Sequence, residues 1–304
     1  MAATKPELER RWVYTRKKGG DSITYVKLHR EAKDQIVSKT IAVSNQKGGV
    51  GKTTTAVNLS AALAATKQKV LLIDLDPQGN ATVGSGISKD AVTKSINDVL
   101  LGEITAAEAI IRSNWNYDVL PSNGNLTIAE VRLLRSEQRE HNLLTLLLPL
   151  TEDYDYLFID CPPSLNMLTV NALVAADSVI IPIQCEYYAL EGLTSLLHNI
   201  DRIRQTVNSK LQIEGLLRTM YDGRNRLTVE VSEQLLTHFH SKVYQTVIPR
   251  NVRIAEAPSH GKPVIHYEPS SQGAIAYLAL AGEMLRKQNQ PFMHEEKYVA
   301  EETR

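Results

Sequence analysis

The run Lys47-Gly48-Gly49-Val50-Gly51-Lys52-Thr53-Thr54 joins an apolar, β-branched stretch, IAVS at 41–44, to a helical pattern at 52–65. Three glycines leave the backbone free to close its N–H groups around an anion, and the helix that follows adds its positive end. Lys52 and Thr53 stand where a phosphate-binding loop carries its lysine and its magnesium-binding hydroxyl. Strand, glycine turn and helix in that order point to an α/β fold whose loop holds phosphate.

The alternation continues along the chain. Apolar runs occur at 70–74 (VLLID), 117–121 (YDVLP), 156–160 (YLFID), 178–183 (SVIIPI), 213–220 (IEGLLRTM) and 244–249 (YQTVIP), with helical patterns at 166–176, 191–208 and 271–287. Runs that are apolar throughout are what strands covered on both faces look like. The expectation is a mostly parallel twisted sheet with helices on both faces, forming a P-loop domain over 39–287. A basic extension at 1–38 reads as a solvated arm, and 288–304 as a mobile acidic tail.

With 304 residues and 43% hydrophobic composition the chain can bury a core without staples. Cys161 and Cys185 are too few for a disulfide framework, which fits a reducing cytoplasm. The first residues lack an apolar signal core, and no stretch approaches the roughly 18 apolar residues of a spanning helix. Lys plus Arg equals Asp plus Glu at 34 each, so any nucleic-acid contact must come from a local patch.

Two more strand ends carry carboxylates. VLLID runs into Asp74-Leu75-Asp76-Pro77-Gln78-Gly79-Asn80, beside the phosphate loop; Asp74 either works in the site or only braces the loop. YLFID delivers Asp160 after four apolar residues, the pattern that holds magnesium directly or through water. Cys161 beside it reads as packed rather than reactive.

The phosphate loop departs from the usual form: Gln46 replaces the first glycine and Lys47 opens the glycine run. It resembles the deviant Walker A motif of the ParA/MinD superfamily of ATPases, and the DPQGN run at 76–80 and the IPRNVR run at 248–253 narrow the resemblance to the ParA/Soj side, over roughly 40–287. The resemblance implies ATP and Mg2+ as cofactors, cradled by residues 47–54, with Lys47, Lys52 and Asp76 as the catalytic set. Lys47 would reach across a nucleotide-sandwich homodimer to the partner's phosphates. Asp76 would orient the attacking water and join Thr53 and Asp160 at the metal, and Pro162-Pro163 would form a second switch. Pro249 and Asn251 would lie by the adenine, with Met220 closing its other side. Arg224 and Arg253 align with arginines that contact duplex DNA in this branch, and Arg226 and Arg250 are neighbours able to join them.

Three readings share these motifs. A partitioning ATPase forms an ATP-dependent dimer, binds double-stranded DNA without sequence preference, and is released when a ParB-type partner stimulates hydrolysis. It would be cytoplasmic and nucleoid-associated, working on a chromosome or plasmid. A MinD-like membrane-cycling positioning ATPase needs an amphipathic C-terminal helix, which the acidic tail lacks, so no stable membrane association is expected. A nitrogenase-reductase-like cluster carrier needs thiolates at a dimer interface, for which Cys161 and Cys185 are the candidates.

Overall fold

A computed structural model describes residues 38–135 and 138–288, together with the backbone of strands β1 (Trp12–Arg16) and β2 (Ile23–Lys27). The chain divides into two units, 1–37 and 38–304. In the first, β1 and β2 pair antiparallel with Tyr14 opposite Tyr25, a strand pair that the lack of apolar periodicity there does not announce. The rest of the basic extension and the acidic tail from 289 onward lie outside the described residues.

The second unit is built on β3 (Lys39–Val43), β4 (Val70–Asp74), β5 (Ile111–Arg112), β6 (Asp118–Leu120), β7 (Tyr156–Asp160), β8 (Ser178–Gln184) and β9 (Gln212–Thr219), in the order β5-β6-β4-β7-β3-β8-β9. All neighbours are parallel except β5 and β6. The helices are α1 (Lys52–Ala65), α2 (Asn80–Gly84), α3 (Ile96–Leu100), α4 (Ala106–Ala109), α5 (Leu126–Leu133), α6 (Asn142–Leu147), α7 (Met167–Ala175), α8 (Ala189–Thr206), α9 (Arg226–Phe239), α10 (Val252–Glu256), α11 (Val264–Tyr267) and α12 (Gln272–Gln288).

Strand alternation sorts the core into two layers. Leu71, Ile73, Leu157 and Ile159 pack with α3 and α5 to α8, whereas Val70, Leu72, Tyr156 and Phe158 pack with α1, α11 and α12. Because each strand buries both faces, its sequence is apolar throughout, and each enclosed Leu or Ile contributes about 1.5–3 kcal/mol. Helix α1 lies in the second layer and is buried along most of its length. Its polar Asn58 is satisfied there, donating to the Thr54 carbonyl at 2.7 Å and accepting from Val264 N at 2.6 Å.

One expected strand is absent. Residues 244–249 form no strand; around them the pairing is confined to isolated bridges, Leu216 with the preceding Val243 and Tyr221 with Pro249. The Tyr244 ring crosses Gly215, where a Cβ would fall 2.3 Å from the ring. Side chains hold the segment instead: Arg218 donates to the carbonyls of Tyr244 and Gln245, and Glu283 accepts from Gln245 N and Thr246 N. Among the described residues, no helix is long and apolar enough to cross a membrane.

Candidate active site

The ends of β3, β4, β7, β8 and β9 meet at the C-terminal edge of the sheet, where ligands bind in folds of this kind. The loop after β3 turns through Gly49 at φ 73° and Gly51 at φ 88°, conformations that strain any residue with a Cβ. Gly51 caps α1, so its carbonyl accepts from Thr55 N at 2.8 Å and the free N–H groups of the first turn face the loop. The loop is pinned from two neighbouring strands. Asn45 donates to the Pro182 carbonyl at 2.7 Å and accepts from Lys47 N at 3.0 Å, while the Thr219 hydroxyl donates to the Val50 carbonyl at 2.8 Å.

A cleft of about 600 Å³ opens over this loop. Gly48, Gly49, Gly51, Lys52, Thr53 and Thr54 line it, facing Asp76, Pro163 and Met220. Val50 is buried behind the wall, and Lys47 lies outside it. The Lys47 amine pairs with Glu186 at 2.7 Å, just past the end of β8. Lys52 folds back over the loop, its amine donating to the Lys47 carbonyl at 3.1 Å. Burial pulls its pKa down, opposed by the carboxylates of Asp160 and Asp76.

The strand register sets Asp74 directly beside Asp160. Asp74 is fully enclosed and braced: one oxygen accepts from Thr82 N and the Thr82 hydroxyl, each at 2.7 Å, and the other from Asp76 N at 3.2 Å. Burial still lifts its pKa to about 6. Asp76 points one oxygen at Gln78 N, 2.9 Å away, while its carbonyl is held by the Ser122 hydroxyl at 2.8 Å and by Gly79 N at 2.9 Å.

Asp160 differs from both. It is fully buried, and neither carboxylate oxygen has a hydrogen-bond partner. Burial raises its pKa well above the ordinary range, the charge of Asp74 adds to the rise, and the nearby Thr53 hydroxyl opposes it without bonding geometry. Two orphaned oxygens at the base of a phosphate cradle fit a cation, because a group so costly to leave unpaired persists where a ligand repays it. Among the described residues no cluster of three or more His, Cys, Asp or Glu could hold a metal on its own. Magnesium takes one or two carboxylates and completes its shell with phosphate and water, so the single orphaned Asp160 carboxylate suits it.

This buried acid makes stability depend on pH. An acid whose folded pKa is raised binds more protons when folded, so stability falls as pH rises from about 4 to the folded pKa. Asp160→Asn removes that loss. The nucleotide-free variant should melt above wild type, by more at pH 8 than at pH 5, each kcal/mol recovered raising Tm by about 2–4 °C. Its Tm should no longer rise with Mg-ATP. Equal Tm values at pH 8 would show that the carboxylate carries no buried cost.

Met220 lines the cleft at φ 49°, an unusual conformation held by the Thr219 contact on one side and by Tyr221 N bonding to the Ile248 carbonyl at 2.9 Å on the other. Pro249 bridges Tyr221, and Asn251 caps α10 by accepting from Arg253 N at 3.0 Å; neither lines the cleft. Arg224 pairs with Asp222 through two bonds of 2.8 and 2.9 Å, and Arg253 with Glu256 at 2.8 Å. Both cysteines are free and buried, so neither thiol is presented at the surface for a cluster shared between subunits, and burial raises both thiol pKa values. Asn45, Thr219 and Glu186 escaped the sequence reading, because their contacts join segments far apart in the chain.

The glycine cradle, its buried lysine and the flanking carboxylates define the class: a P-loop protein that binds and hydrolyses a nucleoside triphosphate. A family model described as an AAA domain matches residues 38–213. The chain is 51% identical over 249 residues to the sporulation initiation inhibitor protein Soj of Bacillus subtilis, covering 82% of this chain and 98% of that one. It is 49% identical over 252 residues to the chromosome partitioning protein ParA of Myxococcus xanthus, covering 83% and 89%. Among solved structures it resembles a cobyrinic acid a,c-diamide synthase from Mycobacterium smegmatis with bound ATP analogue and magnesium, at TM-score 0.73 and 38% identity over 83% of this chain and 96% of that one. It also resembles the cell division ATPase MinD of Pyrococcus furiosus, at 0.69 and 27% over 82% and 99%. The chain belongs to the ParA/Soj family of chromosome-partitioning ATPases, and it is an ATPase.

Proposed function

We propose that this chain is an ATP-driven partitioning switch: an ATP-bound sandwich dimer binds double-stranded DNA without sequence preference, and a ParB-type partner triggers hydrolysis and release. The placement of Lys47 carries the reading. Lys47 is not among the residues lining its own cleft, and its amine pairs with half-exposed Glu186, which leaves it open to a second subunit's phosphates. Lys52 and the loop N–H groups bind the phosphates in cis, and Asp76 orients the attacking water. Thr53 and Asp160 would hold Mg2+ with Asp76 beside them, and the ion would neutralise charge developing on the transferred phosphoryl group. Met220, at the cleft wall, would border the adenine, with Pro249 and Asn251 set back behind it.

The two arginine segments are joined through Tyr221, which bonds to Ile248 and Arg250 of the second segment and precedes Asp222 and Arg224 of the first. Ion pairs as exposed as Arg224–Asp222 and Arg253–Glu256 are worth little in water, so DNA phosphates can replace the carboxylates. The protein would work in the cytoplasm, on the nucleoid, and move chromosome or plasmid DNA.

Binding to random-sequence duplex should be measured with ATP, with ADP and without nucleotide, at two salt concentrations. Salt-sensitive binding with ATP alone is expected; no binding in any state would overturn the reading in favour of a MinD-like membrane cycle. Changing Arg224 and Arg253 together to alanine should leave the ATP dimer intact. It should also flatten the log–log salt slope by about 0.9 for every phosphate left without its arginine, two such phosphates facing each subunit. An unchanged slope would move the DNA patch elsewhere.

A further inference from the structure

We propose that Glu186 is the resting counter-charge of Lys47, holding its amine at the rim of its own subunit until the phosphates bound by a second copy displace it. The proposal rests on the reading that Lys47 acts across a dimer. The pair is 2.7 Å long, and its side chains are 40% and 47% exposed, so a third group can reach the lysine. Both backbones are fixed. Lys47 N is bonded to Asn45, while Glu186 is tied between β8 and α8, its N–H donating to the Gln184 carbonyl and its carbonyl accepting from Ala189 N, each at 2.9 Å. The lysine stem is therefore the part that can swing, and a partner's phosphates, with more charge than one carboxylate, would draw its amine away from Glu186. Dimerisation then costs each subunit one ion pair, and Glu186 becomes a positioning residue that sets the ATP-bound dimer's threshold without touching nucleotide.

Sedimentation velocity over a range of protein concentrations, with Mg2+ and a slowly hydrolysed ATP analogue, tests this. An exposed pair commands about a 1.4- to 5-fold effect, and two are surrendered, so Glu186→Gln should lower the dimer dissociation constant about 2- to 25-fold. Glu186→Asp, which keeps a charge within reach of the flexible lysine, should stay nearer to wild type than Glu186→Gln. A constant unchanged or raised in Glu186→Gln overturns the proposal. Lys47→Ala separates the two ideas. It should not dimerise; if it does not and Glu186→Gln is unaltered, only the counter-charge falls, whereas if Lys47→Ala dimerises like wild type, the trans role of Lys47 falls and the proposal with it.

Discussion

Lys52→Ala should lose ATP binding by about 10²–10³-fold, the scale of one pre-set charged or dipolar donor removed from a water-poor anion site. The amine is held by a single bond to the Lys47 carbonyl, so it is free to turn to a phosphate at little cost. The fold should survive. Burial already disfavours this cation, its removal frees only the Lys47 carbonyl and takes a charge from near Asp160, and alanine suits the first turn of α1. Without Lys52 nearby, Asp160 should hold its proton to still higher pH. Calorimetric titration with Mg-ATP reads the loss directly, and an affinity within threefold of wild type would take Lys52 out of the phosphate site.

Asp76→Ala should keep ATP binding and slow single-turnover hydrolysis about 10²–10⁴-fold, the usual worth of a positioned general base or water-orienting group. The backbone around it is independently secured: the Ser122 hydroxyl and Gly79 N hold its carbonyl, and Asp74 braces the segment through Thr82. The substitution therefore removes a carboxylate from the cleft without collapsing the wall. Quenched-flow analysis should find the nucleotide bound and uncleaved. Hydrolysis at the wild-type rate would remove Asp76 from the chemistry.

The parts of this molecule legible in the sequence are those whose cause is local. The loop at 47–54 announces itself because glycine, lysine and threonine each meet a requirement set by their neighbours, and β4 and β7 do so because two-sided burial writes an unbroken apolar run. Residues 244–249 write the same kind of run yet form no strand: Tyr244 N and Ile248 N bond to β9, but between them Arg218 and Glu283 take the groups a ladder would have used. Strand β5 is two residues long and leaves no period to read. Asp74 shows the limit most plainly: from sequence its carboxylate is equally a ligand or a brace, and only the bonds to Thr82 and Asp76 make it a brace. The Lys47–Glu186 pair spans 139 positions, and no pattern within either segment predicts it.

The segment that fails to become a strand has one more effect. Sheets aggregate by their margins, where unpaired amides recruit a strand from another molecule. Here β9 lies at one margin, and its outward groups at Leu216 and Arg218 are already bonded to the irregular stretch, Tyr244 N to Leu216 O and Ile248 N to Arg218 O. At the other margin β5 offers only two residues for an incoming strand to pair with. Copies crowded together at high local concentration are thus steered away from edge-to-edge, amyloid-like growth and left to meet through their faces, in contacts that can come apart again.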